Sequence, residues 1–206
     1  MACFCLLVLS LFSLCGAEVK AEENAVEGLP PFCGSYECPR YQVLKKYNTF
    51  EVRRYDSTFW VTTYLNSGSM GLGTMKSFRR LFKYISGENS QGISIKMNVP
   101  VRITVPLLDT NVNSTMSLFL PSALMSPPTP NDPSIVLESF PPTSYYVRSF
   151  GGYAMTSDYE KNSKALSEEL TALGLAYDTQ TGMAAAYNDP LTFFGRHNEV
   201  WFRSLN

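Results

Sequence analysis

An internal repeat constrains the fold of this chain more than any other feature of its sequence. An approximate copy of residues 50–62 returns about 95 residues later, at 146–156. Each copy has the pattern of two short strands joined by a tight turn, followed by one helical pattern and two more strand-like runs. The matching order of elements, more than the short motif, indicates a duplicated β-β-α-β-β unit with pseudo-repeats at about 41–121 and 135–206.

The hydrophobic pattern predicts two helices among eight or more strands. The first helix is expected at 69–86, where apolar residues recur every three or four positions. The second begins with a capping box, Ser157 and Glu160, and ends at Gly174. Strands are predicted at 41–47, 50–55, 59–65, 93–97, 101–107, 116–120, 135–140, 145–150, 183–187 and 199–203. This order predicts an α+β fold, a distorted antiparallel sheet curled toward a barrel and flanked by the two helices.

The N-terminal segment predicts secretion. An almost unbroken apolar run, 4–14, precedes the small residues Cys15-Gly16-Ala17, as at the cleavage site of a signal peptide. Its 11 residues are too few to span a bilayer, which takes about 20. No Lys or Arg precedes the run, which departs from the usual signal pattern. We predict a signal peptide at residues 1–17, a secreted, extracellular mature chain and no transmembrane segment.

Cleavage there would leave two of the five cysteines, Cys33 and Cys38. In an oxidising compartment an even number of cysteines predicts a disulfide, with two free thiols as the alternative. The pair lies in an acidic, proline-containing N-terminal arm, residues 18–40, for which no element is predicted, and the folded domain is expected at 41–206. Asn113 begins the one Asn-x-Ser/Thr sequence and predicts N-glycosylation between two strands.

Charge and motif content argue against two classes of function. The formal net charge is −1, so the chain lacks the basic field that holds a phosphate backbone. The sequence has one histidine, no Gly-x-Ser-x-Gly elbow, no Cys/His metal spacing and no phosphate-binding glycine loop. We therefore predict a binding protein, without catalysis and without a nucleic-acid partner.

Four sequence blocks resemble the SOUL haem-binding protein family. They are Phe-Glu-Val-Arg-Arg-Tyr at 50–55, Ile-Lys-Met-Asn-Val-Pro-Val at 95–101, Tyr-Val-Arg-Ser-Phe-Gly-Gly at 146–152 and Asn-Glu-Val-Trp at 198–201. In the second block the family usually has Lys-Met-Thr-Ala-Pro-Val. The resemblance covers about 41–203 and implies a distorted antiparallel barrel flanked by two helices, with pseudo-twofold symmetry. It also implies non-covalent binding of haem or related porphyrins without catalysis.

One position departs from part of that family. Where an axial histidine is proposed to hold the haem iron in one branch, this chain has Arg54. A guanidinium has no acceptor to offer iron, so this mode of ligation does not carry over. The chain is more similar to members without the histidine, which implies an apolar cleft with basic residues near the propionates of the porphyrin.

Several residues are candidates for contact with a porphyrin. His197, the only histidine, is a candidate axial ligand, with a structural or loop role as the alternative. Met70 and Met75 on the first helix are candidates to ligate iron or to contact the porphyrin face, although core packing is favoured for Met75. Five cations are candidates to pair with propionates, each with a solvated surface charge as the alternative: Arg53, Arg54, Arg79, Arg80 and Lys83.

The sequence as a whole predicts a secreted carrier or scavenger of haem or another tetrapyrrole. The ligand is expected in a shallow apolar cleft with a basic rim. The alternative is a secreted binding module for another hydrophobic small molecule or for a protein partner, because the fold also resembles effector-binding domains of some bacterial regulators, and fold alone does not choose the ligand.

Overall fold

The computed structural model describes residues 29–65, 72–107, 113–189 and 191–206. Predictions that fall elsewhere lie outside the described residues. These are the signal peptide, the first part of the N-terminal arm, the predicted start of the first helix, and Met70.

The described residues form nine strands and two α-helices, preceded by a short 3₁₀ turn at Pro31–Cys33. In chain order they are β1 (Tyr41–Lys46), β2 (Glu51–Tyr55), β3 (Thr58–Tyr64), α1 (Leu72–Ile85), β4 (Val101–Pro106), β5 (Thr115–Phe119), β6 (Ile135–Phe140), β7 (Thr143–Gly151), α2 (Thr156–Ala172), β8 (Thr181–Ala186) and β9 (His197–Arg203). Most predicted strands fall within two residues of these bounds.

All nine strands belong to one antiparallel sheet, in the order β1-β2-β7-β9-β8-β4-β5-β3-β6. Only Pro141 and Pro142 separate β6, at one edge, from β7, near the other edge. So short a connection requires the sheet to curl until β6 approaches β7. The sheet therefore has an inner and an outer face, and the predicted α+β fold with a curled antiparallel sheet is confirmed.

The sheet order is symmetric about an axis between β4 and β8. The axis relates β8 to β4, β9 to β5, β7 to β3 and β2 to β6, and it relates α2 to α1. Strand β1 has no counterpart and is an addition at one edge. This symmetry corrects the sequence alignment of the repeat. Residues 146–151 lie in β7, which corresponds to β3, so they do not correspond to 50–55 in β2. The segment 146–156 is one strand leading into α2, rather than two strands.

Both helices pack on the outer face of the sheet, each over one half. From α1, Leu81, Tyr84 and Ile85 are buried among apolar residues of β3 and β5. From α2, Leu166 and Leu170 are fully buried against residues of β7 and β9. Their four-residue spacing places both leucines on one side of α2, as the sequence pattern indicates. None of the described helices is long and apolar enough to cross a membrane.

The N-terminal arm differs from its prediction, because residues 30–40 pack into the domain. Cys33 and Cys38 form a disulfide and are 1% and 2% exposed. They belong to a core cluster on the inner face with Tyr55 and Trp201, against which Phe32 also packs. The disulfide closes a small loop within the arm, and packing of that loop against Tyr55 and Trp201 holds it on the inner face. The sequence did not predict this, because the arm lacks a periodic apolar pattern.

Two local predictions were wrong. The segment 93–97 is extended without being a strand, and its Ile95 N–H donates to Ile85 O at 2.7 Å. The N-terminus of α2 is capped by Asp158, whose carboxylate accepts from the Met155 N–H at 2.8 Å, rather than by Ser157 and Glu160. The helix begins one residue earlier than the predicted cap, so Ser157 and Glu160 both lie within it.

Candidate functional site

The predicted ligand-binding residues lie in different parts of the fold. Arg53 and His197 project from β2 and β9 onto the inner face, where both contact Glu199. Arg54, the next residue on β2, projects to the outer face and is exposed. The remaining described candidates are on α1 and are considered below.

The inner face holds a buried hydrogen-bond network centred on Glu199. The Glu199 side chain is completely buried. Its Oε1 accepts from Arg53 Nη1 at 2.8 Å and lies 2.7 Å from His197 Nε2. Its Oε2 accepts from the Tyr187 hydroxyl at 2.8 Å and from Trp201 Nε1 at 2.7 Å. A buried carboxylate is stable only when its acceptor sites are used in this way.

This network determines the charge state of Glu199. Burial alone would raise the pKa of the carboxyl, but hydrogen bonds from His197 and Arg53, together with their charges, outweigh it and lower the pKa to about 2. Glu199 is therefore ionised across the physiological range. Its place at the centre of the sheet indicates a structural role.

His197 has little freedom to bind a ligand in this arrangement. Its ring stacks on Phe32 with centroids 3.8 Å apart and contacts Tyr187 edge-on at 5.1 Å. Its Nε2 is engaged with Glu199, and the side chain is 19% exposed. The imidazole is thus held between the N-terminal arm and the sheet. No group of three or more His, Cys, Asp or Glu with metal-binding geometry occurs among the described residues.

A separate inner cleft lies on the half of the barrel that the arm does not cover. Its volume is about 270 Å³. At its base Arg102 of β4 is 3% exposed and lies between the rings of Trp60 and Phe140, at 4.2 and 4.9 Å. The cleft is lined by Arg102, Thr104, Thr115, Glu138, Phe140, Pro141, Thr143, Tyr145, Asp178, Thr181, Met183 and Arg203.

The outer face carries a groove between the two helices, here called the outer groove. Helix α1 packs mainly on β3 and β5, and α2 packs on β7 and β9, so β4 and β8 lie between them. The midpoints of those two strand pairs are four strand spacings apart, about 19 Å, whereas helices in contact lie about 8–10 Å apart. The helices therefore leave the outer side of β4 and β8 partly open.

The floor of the outer groove is apolar and made of small or β-branched side chains. It consists of three cross-strand pairs: Val101 with Ala186, Ile103 with Ala184, and Val105 with Gly182. Ala184, Ala186 and Ile103 are only partly buried, although each lies on the same face as the helices. From Val101 to Val105 the floor is about 13 Å long. The side chains of Leu107 and Phe202 lie over its Gly182 end, within 3.4 Å of where a Cβ on that glycine would be. The open apolar part of the floor is therefore around Ile103, Ala184 and Ala186.

One wall of the outer groove is the flank of α1. Arg80 lies on the flank of α1 that faces away from the groove, because its Nη1 donates to Thr63 Oγ1 of β3 at 2.9 Å. Met75, Phe78 and Phe82 recur at three- and four-residue steps on the flank away from Arg80, toward β4. Met75 is 50% and Phe82 47% exposed. The core position favoured for Met75 is therefore wrong, because its side chain lies at the groove.

The cations of α1 differ in their partners. Arg79 lies one turn from both Met75 and Phe82 and forms no ion pair within the described part of the chain. By contrast, Lys83 Nζ lies 3.2 Å from Glu88 Oε1, and Arg80 Nε lies 3.5 Å from Asp132 Oδ2. Of the predicted set, Met75 thus lies on the flank of α1 that borders the outer groove, and Arg79 lies one turn away on the exposed side of the helix.

A further apolar surface adjoins one end of the outer groove. The loop that leaves β8 after Ala186 exposes Leu191, Phe193 and Phe194 by 78%, 73% and 91%. Arg196 of the same loop lies over the ring of Tyr153, near the start of α2, at 4.5 Å. Exposed aromatic side chains grouped in this way are typical of a surface that contacts a ligand or partner.

Sequence reasoning missed the floor of the outer groove. The only local signal is the run Gly182-Met183-Ala184-Ala185-Ala186, in which a strand position that should carry large side chains carries small ones. Which strand lies beside it depends on long-range pairing. The same holds for Arg102. A strand pattern predicts which face of the sheet its side chain lies on, but it does not predict the contact with the rings of Trp60 and Phe140.

Comparisons with known proteins agree on one family. A family model described as SOUL heme-binding protein matches residues 36–203. Heme-binding protein 1 of Xenopus tropicalis is 31% identical over 76% of this chain and 84% of its own length. Heme-binding protein 2 of Homo sapiens is 29% identical over 77% of this chain and 79% of its own.

A solved structure extends the likeness at the level of fold. The C-terminal domain of EcmrR superposes with a TM-score of 0.55 and 7% identity, covering 74% of this chain and 94% of that domain. At so low an identity the likeness concerns the fold alone.

Proposed function

The chain belongs to the SOUL haem-binding protein family, and from that premise we propose that it binds haem or a related tetrapyrrole, without catalysis, in the outer groove. The observation that carries the proposal is the open apolar floor of β4 and β8 between the two helices. A flat macrocycle needs a shallow surface of this kind, and its affinity comes mainly from apolar area removed from water, about 25 cal/mol per Å².

The residues present fit such a ligand on two counts. Small side chains at Ala184 and Ala186 let a planar ring approach the sheet, and Met75 and Phe82 supply partly exposed apolar contacts at its edge. Arg79, which has no ion-pair partner among the described residues, is the cation best placed to pair with a propionate carboxylate. A tetrapyrrole would be held non-covalently, as cargo of the protein.

Axial ligation by His197 does not fit this arrangement. His197 projects onto the inner face, whereas the outer groove lies on the other side of the sheet. Its ring is stacked on Phe32 and its Nε2 is used by Glu199. We therefore propose that affinity does not depend on a bond from this histidine to iron.

An absorbance titration of the chain from residue 18 tests this function. Haemin and iron-free protoporphyrin IX are titrated into the wild type and into His197→Gln, which keeps a polar group beside Glu199. We expect saturable binding of both porphyrins at low micromolar concentration, about −8 kcal/mol, with Kd changed less than about threefold by the substitution.

Two outcomes would count against the proposal. Loss of the Soret shift in a folded His197→Gln variant would make His197 an iron ligand. Failure of both porphyrins to saturate the wild type would exclude a tetrapyrrole carrier.

A second candidate function is binding of a protein partner through the exposed loop. Leu191, Phe193 and Phe194 favour it, because large apolar side chains so exposed are typical of interfaces. The two functions are distinguished by Phe193→Ser/Phe194→Ser, which should leave porphyrin affinity unchanged if the loop serves only a partner.

Secretion stays a prediction from the sequence, and the same is true of a glycan on Asn113. The described residues are consistent with an oxidising compartment, since Cys33 and Cys38 are paired, and the Asn113 side chain is exposed. N-terminal sequencing of chain recovered from the medium of secreting cells should begin at Glu18. A chain that is found only inside the cells and still carries the apolar run at residues 4–14 would exclude secretion.

A further inference from the structure

Arg102 is a buried cation that makes no hydrogen bond to any described residue and has one ion-pair partner, Glu138. It is 3% exposed, and its Nε has no partner among the described residues. The nearest carboxylate is Glu138, whose Oε2 lies 3.6 Å from Nη2, beyond hydrogen-bond distance. Buried guanidinium groups are normally satisfied, so an orphaned one at the base of a cleft indicates a missing partner.

The guanidinium is held in position without hydrogen bonds. Its carbon lies over the Trp60 ring at 4.2 Å and the Phe140 ring at 4.9 Å. Such cation–π contacts fix the plane of the group but leave its N–H fork unpaired. Burial lowers the pKa of Arg102 from its ordinary value, opposed by Tyr145 and Glu138. A bound anion would favour the charged form.

The unused polar groups of the inner cleft are mostly donors. Neither the Tyr145 hydroxyl nor the Arg203 guanidinium makes a hydrogen bond to any described residue. Burial raises the pKa of Tyr145, while Arg102 and Arg203 both oppose that shift, so both charges act on the same hydroxyl.

The acidic groups of the inner cleft are already paired. Glu138 Oε2 accepts from Thr62 Oγ1, and the Asp178 carboxylate accepts from Gln180 N and Thr181 Oγ1. The cleft therefore has hydrogen-bond donors without partners, whereas its carboxylates already accept hydrogen bonds, and this combination favours an anionic ligand. The apolar lining, which includes Phe140 and Met183, favours a ligand that also has an apolar body.

We propose that the inner cleft is a second ligand site, separate from the outer groove, that binds a small organic carboxylate through Arg102, Arg203 and the Tyr145 hydroxyl. A carboxylate matches the guanidinium fork in two hydrogen bonds. The 270 Å³ volume limits the ligand to a small molecule, since sites for drug-sized ligands span about 300–1,000 Å³. The site therefore does not take a tetrapyrrole.

Sodium benzoate is a suitable probe, with benzamide as its uncharged counterpart of the same shape. The chain has two tryptophans, and both indole N–H groups serve as reporters in ¹H–¹⁵N spectra. Trp60 contacts Arg102, whereas Trp201 donates to Glu199. We expect benzoate to shift the Trp60 signal saturably below about 10 mM and benzamide to bind at least tenfold more weakly.

Three variants complete the test. Arg102→Met keeps an apolar side chain of similar length between the rings, and it should abolish the benzoate response. Arg203→Met changes an exposed residue at the mouth and should weaken benzoate about tenfold even if Arg102→Met does not fold. Arg79→Met, at the outer groove, should leave benzoate binding unchanged.

Several results would contradict a carboxylate site in the inner cleft. The proposal is overturned if benzoate does not saturate, if benzamide binds equally well, if binding survives in a folded Arg102→Met variant, or if Arg203→Met leaves the affinity for benzoate unchanged. Haemin affinity should be the same with and without saturating benzoate, and competition between them would place both ligands in one site.

Discussion

Replacing Glu199 with Gln is expected to lower the free energy of unfolding by about 3–5 kcal/mol. The substitution keeps the volume but removes the charge that Arg53 faces in a fully buried position. It also places an NH₂ group among donors, because Arg53, Tyr187 and Trp201 all donate to the carboxylate. A buried cation without its counter-ion and several unsatisfied donors account for the size of the effect.

Urea denaturation with an unchanged m-value measures this loss. The matched control is Glu88→Gln, which removes a carboxylate from an exposed pair with Lys83 and should change the unfolding free energy by less than about 0.5 kcal/mol. If Glu199→Gln is no more destabilising than Glu88→Gln, the buried network does not hold the inner face together.

The same carboxylate predicts the acid side of the stability profile. Its pKa in the folded protein is lowered to about 2 from an ordinary value of 4.5. The resulting stabilisation is fully present above the ordinary pKa and is lost as the pH falls through the folded one. The wild type should therefore lose stability between about pH 4.5 and 2, and Glu199→Gln should show a smaller loss in that window.

Replacing Ala184 with Trp is expected to weaken porphyrin binding at least tenfold. Ala184 is at the centre of the outer groove, paired with Ile103, and is partly exposed. An indole placed there would occupy the surface that a flat ligand needs. Denying the ligand about 100 Å² of apolar contact costs about 2.5 kcal/mol, which corresponds to more than tenfold in Kd.

The matched control is Ala123→Trp, the same substitution at an exposed position in the connection between β5 and β6. It should leave both affinity and stability unchanged. Near-UV circular dichroism establishes that each variant is folded. Full porphyrin affinity in a folded Ala184→Trp variant would place the ligand elsewhere.

The sequence predicts this fold well because its signals are local and repeated. Alternating apolar positions locate most strands, and the leucines at 166 and 170 locate the buried side of α2. The order of elements indicates the duplication. The residue-level alignment was misleading because β2 and β7 resemble each other as neighbours in the sheet, rather than as equivalents under the pseudo-twofold axis.

The sites are less predictable because they arise from long-range pairing. Arg53 and Glu199 are on different strands, with β7 between them, and only the sheet order brings the two charges together. Met75 has the spacing of a core residue, yet it lies on the flank of α1 that faces the open strands β4 and β8. The periodicity of a helix identifies its apolar side without indicating what covers that side.

The most direct test of the proposed function is a ¹H–¹⁵N titration with iron-free protoporphyrin IX. Helix α1 contacts only the outer face, and the arm at 30–40 packs on the inner face, so their amides separate the two locations. We predict saturable shifts at 75–82 in α1 and at 182–186 in β8, with the arm unchanged. Shifts concentrated in residues 30–40 and around His197, with α1 unaffected, would contradict the outer-groove site.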